Sequence, residues 1–214
     1  MKVNGCDFPE NLAYDEDFKI WFKKEELFFK LGITSAYSWY IGKINRIRFI
    51  RDNGIIEKNK NLCIIESDKK IEAIRLPFTF KIVNVNTYAT INTKIVNNNC
   101  YDEGWLAIIQ PIEDTSRYMY NCDEDKIREK INFYNIKCFK MIPDIYLYEI
   151  GTECSAVIAK LNEMFSRLNY NDVVLIVSDD PTAYVEMVRW TDQTKNKLID
   201  YRKENDLWFF LIKK

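Results

Sequence analysis

The hydrophobic rhythm of this chain changes near residue 113, and that change limits the folds open to it. Residues 1–112 carry short apolar runs: Phe18–Phe22, Leu27–Leu31, Lys43–Ile50, Leu62–Ile65, Lys81–Val85 and Trp105–Ile109. Turn residues stand between several of them, at Gly32, Asn53–Gly54, Pro77 and Asn97–Asn99. Short strands with polar turns predict a small β barrel or sandwich, with Ser35–Tyr40 as a short helix. Residues 144–214 keep another period. Val157, Ile158, Leu161, Met164, Phe165 and Leu168 fall on one helical stripe. Ile145–Tyr148, Val173–Val177 and Leu207–Ile212 read as strands, and Tyr184–Asp200 as a second helix. That β-α-β-α-β order predicts a two-layer domain with its helices on one face of a sheet. Between the halves, Asp123–Tyr134 is charged and has Ile127 and Ile131 four apart, the pattern of a surface helix capped by Asn121 or Asp123. The expected class is α+β, with domains over 1–112 and 144–214 and a helical linker over 113–143.

Composition narrows the function. The 214 residues are 47% hydrophobic, enough for a real core rather than disorder. The net charge is -1 with no long single-sign run, which argues against a nucleic-acid surface. No stretch approaches the ~18 apolar residues of a membrane span. The start, MKVNGCDFPENLAYDED, is acidic and has no apolar signal core, so a cytoplasmic location is expected. There are no histidines, which removes His-dependent triads and most zinc or iron sites. The six cysteines (Cys6, Cys63, Cys100, Cys122, Cys138 and Cys154) form no C-x-x-C pair and are expected as free thiols. All but Cys154 are read as structural. Asp179–Asp180 precedes Pro181 and reads as a turn.

The candidate for chemistry in the first half is a turn. Residues 63–73 read CIIESDKKIEA, an apolar run, a polar tip with two adjacent lysines, and resumed alternation. That is a β-hairpin presenting an amine. The surrounding sequence resembles the H-protein of the glycine cleavage system, a lipoyl carrier, from about Leu12 to Pro111. "YDEDFKIWF" (Tyr14–Phe22) is similar to the family's opening region, with Phe18 where a histidine is usual. "LGITSAYSWYIGKI" (Leu31–Ile44) is similar to its G-I-T-x-x-A…G-x-I segment. "IIESDKKIEAIRLPFTFKIVNVN" (Ile64–Asn86) is similar to the E-S-x-K segment followed by P-x-x-G-x-V-x-x-x-N, with Phe80 at the glycine position. "INTKIVNNNCYDEGWLAIIQP" (Ile91–Pro111) is similar to the closing N-x-x-Y-x-x-G-W-L, with Cys100 where a proline usually stands.

The resemblance implies a barrel-sandwich hybrid of the lipoyl/biotinyl-carrier type. It implies covalent lipoate on Lys69, with Glu66 and Asp68 as parts of the attachment motif and Lys70 as a bystander. The implied partners are a lipoate ligase or lipoyl transferase, dihydrolipoamide dehydrogenase and glycine-cleavage enzymes. The implied role is that of a carrier rather than an enzyme.

The second half, over about 144–214, resembles the TusA-like sulfur-carrier family. "YLYEIGTECSAVIAKLNEMF" (Tyr146–Phe165) is similar to that family's strand, G-x-x-C-P-x-P and helix, with Ser155 and Val157 in place of both prolines. "NDVVLIVSDDP" (Asn171–Pro181) is similar to its G-D-x-x-x-V-x-x-D-D-P. This resemblance implies that Cys154 carries sulfur as a persulfide. A helix start favours a thiolate there, while Glu153 opposes it. Together the two resemblances imply lipoate-linked sulfur metabolism with sulfur-transfer partners. The alternatives are an ordinary glycine-cleavage H-protein and a non-lipoylated docking scaffold.

Overall fold

The computed structural model describes residues 1–214, which form two compact units, Met1–Cys138 and Phe139–Lys214. No helix is long and apolar enough to cross a membrane.

The first unit runs β1 (Lys2–Val3), β2 (Cys6–Asp7), β3 (Ala13–Tyr14), β4 (Ile20–Glu25), β5 (Phe28–Ile33), α1 (Ser35–Ile41), β6 (Ile44–Phe49), β7 (Gly54–Ile56) and β8 (Asn61–Ser67). It continues with β9 (Ile71–Arg75), β10 (Phe80–Val85), α2 (Thr87–Ile91), α3 (Lys94–Asn98), β11 (Ala107–Pro111) and α4 (Glu124–Phe133). A six-stranded sheet in the order β3-β4-β5-β11-β10-β7 and a three-stranded sheet β6-β8-β9 share one core. Phe22, Leu31 and Ile109 come from the first sheet, and Ile47, Cys63, Ile65 and Ile74 from the second. Alternate residues face this core in β4 (Ile20 and Phe22), β10 (Phe80 and Ile82) and β11 (Ala107 and Ile109), while Trp21 of β4 is buried on the other face, in a second cluster. Each fully buried Ile, Leu or Phe is worth about 1.5–3 kcal/mol relative to exposure.

Local chemistry explains how these strands connect. Thr34 caps α1: its hydroxyl oxygen accepts from Tyr37 N–H (3.1 Å) and its O–H donates to the Phe18 carbonyl (2.8 Å). Gly32 is required by close approach, because a Cβ there would lie 2.8 Å from the Trp21 indole. That indole is fully buried and donates from Nε1 to the Cys100 carbonyl at 3.0 Å. Asn86 ends β10 as the cap of α2 and donates from Nδ2 to the Glu103 and Trp105 carbonyls, both at 2.8 Å. Phe80 is fully buried in the strand between β7 and β11, so the departure from glycine is absorbed as core.

Three expectations need correction in this unit. The segment up to Cys138 packs with the first unit instead of forming a linker, because Ile127 and Ile131 bury their stripe against Phe8, Tyr14 and Phe18. Asp123 caps α4 by accepting from Lys126 N–H at 3.2 Å. Asn97–Asn99 is not a simple turn, since Asn97 and Asn98 lie in α3 and the Asn97 side chain is buried. Finally, Cys6 and Cys138 are joined by a disulfide, so the expectation of six free thiols fails for this pair. The hairpin β1–β2 meets the chain after α4 there, and Cys138 N–H donates to the Asn4 carbonyl at 3.0 Å. Cys63, Cys100, Cys122 and Cys154 are free thiols.

The second unit runs β12 (Ile145–Glu149), α5 (Cys154–Arg167), β13 (Val173–Ser178), α6 (Ala183–Thr194), β14 (Lys197–Glu204) and β15 (Leu207–Lys213). Its sheet order is β12-β13-β15-β14, parallel at β12–β13 and antiparallel elsewhere. Val157, Leu161 and Phe165 of α5 and Met187 and Trp190 of α6 share a core with Val174, Ile176, Phe210 and Ile212. The two-layer expectation therefore acquires a fourth strand. The second helix stops at Thr194, Lys195 turns left-handed at φ 64, and the stretch read as its last turn becomes β14. Pairing with β15 overrides the helical reading there. Asn205, at φ 53 in the intervening turn, was the available signal.

Candidate functional site

The two adjacent lysines sit at the β8–β9 turn, and the fold treats them differently. The turn closes on Ser67, whose N–H donates to the Lys70 carbonyl at 2.9 Å. The Ser67 hydroxyl donates to the Ile41 carbonyl at 2.8 Å and accepts from Lys70 N–H at 3.2 Å. Asp68 N–H donates to the Lys43 carbonyl at 2.9 Å, and the Asp68 carboxylate accepts from Asn45 Nδ2 at 2.7 Å. The hairpin tip is thus tied to the corner between α1 and β6 at several points. An exposed tip ordered in this way presents its side chains in one place.

That corner is itself clamped. Asn97 Nδ2 donates to Ser38 Oγ (2.8 Å) and to the Gly42 carbonyl (3.0 Å), while its Oδ1 accepts from Ile44 N–H (2.8 Å). Thr93 adds a bond from Oγ1 to the Ile44 carbonyl at 2.7 Å. Gly42 lies at φ 87 and ψ -160, backbone territory that essentially only glycine occupies. A Cβ on Gly42 would lie 3.3 Å from Cγ, Cδ and Cε of Lys69. The missing side chain therefore leaves a shallow cradle in which the lysine stem lies.

Lys69 is exposed, and its Nζ reaches no closer partner than the Trp39 carbonyl at 3.5 Å, a long hydrogen bond. Lys70 is only partly exposed, with its Nζ 3.6 Å from the centroid of the Tyr40 ring. Tyr40 stacks on Tyr37 at 6.2 Å and meets Tyr134 at 4.9 Å between ring centroids. It also lines a small, mainly apolar pocket with Phe18, Ile127 and Tyr134. Phe18, at the family's histidine position, is buried core in a left-handed turn at φ 54. Glu66 stands opposite Arg46 and Ile71 in the ladder. The Asp68 carboxylate, at the exposed tip, is held by Asn45.

An exposed amine on a braced tip, with a cradle beneath its stem, fits a lysine that holds a covalently attached arm. The match to a family model agrees: the glycine cleavage H-protein model covers residues 12–132, more than half of the chain. The chain belongs to the glycine cleavage H-protein family. The match runs through α4, the helix that packs in the first unit. Glycine cleavage system H protein 5 of Aquifex aeolicus is 30% identical over 132 residues, covering 60% of this chain and 89% of that protein. A probable glycine cleavage system H protein 2 of Sulfurisphaera tokodaii is 28% identical over 145 residues, covering 65% of this chain and 98% of that one. The crystal structure of an H protein from Mycobacterium marinum superposes with a TM-score of 0.50 at 19% identity, over 60% of this chain and 99% of that one, a likeness of fold. H-proteins are carriers rather than enzymes, with lipoate attached covalently to a lysine.

The sequence pointed to the hairpin lysines but gave no sign of Gly42, Asn45 and Asn97 around the tip, or of Tyr40 beneath Lys70. Gly42 lay in a recognised segment, although nothing in the sequence placed it under the lysine. Asn97 carried a misleading signal, because three successive asparagines look like a turn.

Cys154 opens α5 in the second unit. Its N–H donates to Asp180 Oδ2 at 3.1 Å, and Gly151 N–H donates to Asp179 Oδ1 at 2.8 Å. Thr182 donates through N–H and Oγ1 to Asp180 Oδ1, both at 2.7 Å, which holds that carboxyl below its usual range. Burial, then Asp180 and Glu186, push the Cys154 thiol up from its ordinary value. Burial and these two carboxylates oppose the thiolate that a helix start favours. Burial likewise raises Cys63, and Cys100 to about 12, as suits inert core thiols.

Proposed function

We propose that this lipoyl carrier bears its arm on Lys69 and moves a sulfur-bound fragment between the enzymes of glycine cleavage. The observation that carries this reading is the exposed Lys69 stem, lying over the Cβ-less backbone of Gly42 on a braced hairpin tip. When attached, lipoate supplies a disulfide–dithiol couple on a long flexible arm. The protein's own residues provide the rest. Ser67 and Asn45 hold the tip, and Asn97 and Gly42 shape the floor beneath it. The partners are a lipoate ligase or lipoyl transferase, dihydrolipoamide dehydrogenase and the aminomethyl-transferring enzymes. Intact-mass measurement of natively purified protein tests the assignment. A lipoyl increment mapping to Lys69 is expected in wild type and in Lys70→Arg, whereas Lys69→Arg should show only slower loading, confined to Lys70. An unmodified wild-type chain from a lipoate-replete cell would refute it and favour the docking scaffold.

A second reading makes the last unit a TusA-like sulfur carrier, so that persulfide sulfur on Cys154 passes to the lipoyl dithiol. Its support is the position of Cys154 at the first residue of α5, in a two-layer α/β unit. Burial of the thiol, with the carboxylates of Asp180 and Glu186, weighs against it, because each disfavours the thiolate that accepts sulfur. A docking unit with a residual cysteine suits that environment better. Incubation with a persulfide donor separates the two: the docking reading expects no added sulfur on Cys154, and stoichiometric loading would restore the sulfur-carrier reading.

A further inference from the structure

Two lysines at one hairpin tip pose a selection problem for any enzyme that acylates the tip. Adjacent amines share the same intrinsic chemistry, so sequence alone leaves them as competitors. The fold makes them unequal. The Lys70 N–H and carbonyl are both bound to Ser67, and its ammonium rests 3.6 Å from the Tyr40 centroid. Tyr40 is held in turn between Tyr37 and Tyr134. Lys69 has only the 3.5 Å bond to the Trp39 carbonyl.

We infer that Tyr40 biases lipoylation toward Lys69, by holding the neighbouring Lys70 ammonium on its ring face. This rests on the proposed attachment at Lys69 and deepens it. In the acylation, a deprotonated lysine Nζ attacks the carboxyl carbon of a lipoyl acyl adenylate supplied by the ligase. The amide C–N bond forms, the bond to the adenylate oxygen breaks, AMP leaves, and the amine proton passes to solvent. Lys70 must first lift from the ring, and the contact with the ring favours the docked position. An exposed cation–π contact handicaps such an amine about two- to five-fold. Tyr40 does not touch the reacting atoms of Lys69. It is a positioning residue acting through Lys70.

The test measures ligase-catalysed lipoylation of Lys70 in full-length protein by peptide mass mapping. Against Lys69→Arg alone, adding Tyr40→Leu is expected to raise the Lys70 rate about two- to five-fold. Adding Tyr40→Phe, which keeps the ring, should leave that rate unchanged. A second measurement needs no ligase. A limiting dose of a small amine-acylating ester should label Lys69 over Lys70 about two- to five-fold in native wild type and in Tyr40→Phe. The preference should vanish in urea and in folded Tyr40→Leu. Equal native labelling of the two lysines, or a Lys70 rate indifferent to Tyr40→Leu, would overturn the inference. Absence of lipoylation at Lys69 in wild type would instead strike the attachment reading, and the ligase-free ratio would still judge Tyr40.

Discussion

Gly42→Ala probes both the backbone and the cradle beneath Lys69, and the two effects separate. At φ 87 and ψ -160 an L side chain is strained by about 1–3 kcal/mol, whatever space surrounds it. The backbone cannot relax freely, because the Gly42 carbonyl accepts from Asn97 and its N–H donates to the Ser38 carbonyl at 2.9 Å. The added methyl would also stand 3.3 Å from three carbons of the Lys69 stem. That stem is exposed and flexible, so it lifts away at little cost. The strain therefore appears in stability and the displacement in modification. Urea unfolding should show a loss of about 1–3 kcal/mol, a fall in melting temperature of about 2–4 °C for each kcal/mol. A time course of lipoylation by intact mass should show slower loading of Lys69 in protein that is still folded. Unchanged stability would refute the backbone argument. Lower stability with wild-type loading would refute the cradle and leave the strain intact.

Asn97→Ala orphans the Ile44 N–H and the Gly42 carbonyl in a buried corner, and should cost about 1–3 kcal/mol in urea unfolding, with slowed lipoylation as the corner loosens. Reducing the Cys6–Cys138 disulfide frees a 132-residue separation and should destabilise the first unit by about 2–4 kcal/mol; identical urea midpoints with and without reductant would contradict this. Burial raises the Asp15 carboxyl from 3.8 to about 6, against the hydrogen bonds it accepts from Lys19 and Ile20 N–H. The native state then binds this proton more tightly than the unfolded chain, so its contribution is full below 3.8 and is lost as pH rises through about 6. Asp15→Asn should remove a fall in stability of up to about 3 kcal/mol across that window, read as a flatter plot of urea midpoint against pH.

The parts of this protein legible in its sequence are those that depend on neighbours along the chain. Short apolar runs between turn residues located β4, β5, β6, β8, β10 and β11 to within a few residues, because a strand packed in a core is apolar while its turns are polar. The apolar stripe of α5 and the Ile127–Ile131 pair of α4 were equally plain, because a helix face repeats near every fourth. The expectation for Lys69 over Lys70 came from register with the H-protein family's E-S-x-K segment, not from any local period. The rest was decided by residues far apart in sequence. Strand β14 exists because β15 pairs with it, although its residues also continue a helical pattern. Cys6 finds Cys138, and Cys154 meets Asp180, across separations that no local period reports. The distinction between Lys69 and Lys70 belongs to this second class. It rests on Gly42 and Tyr40, some thirty residues upstream, which the fold brings beneath the tip. Periodicity records which face of an element is buried, whereas the identity of the group across from it is set only when the elements pack.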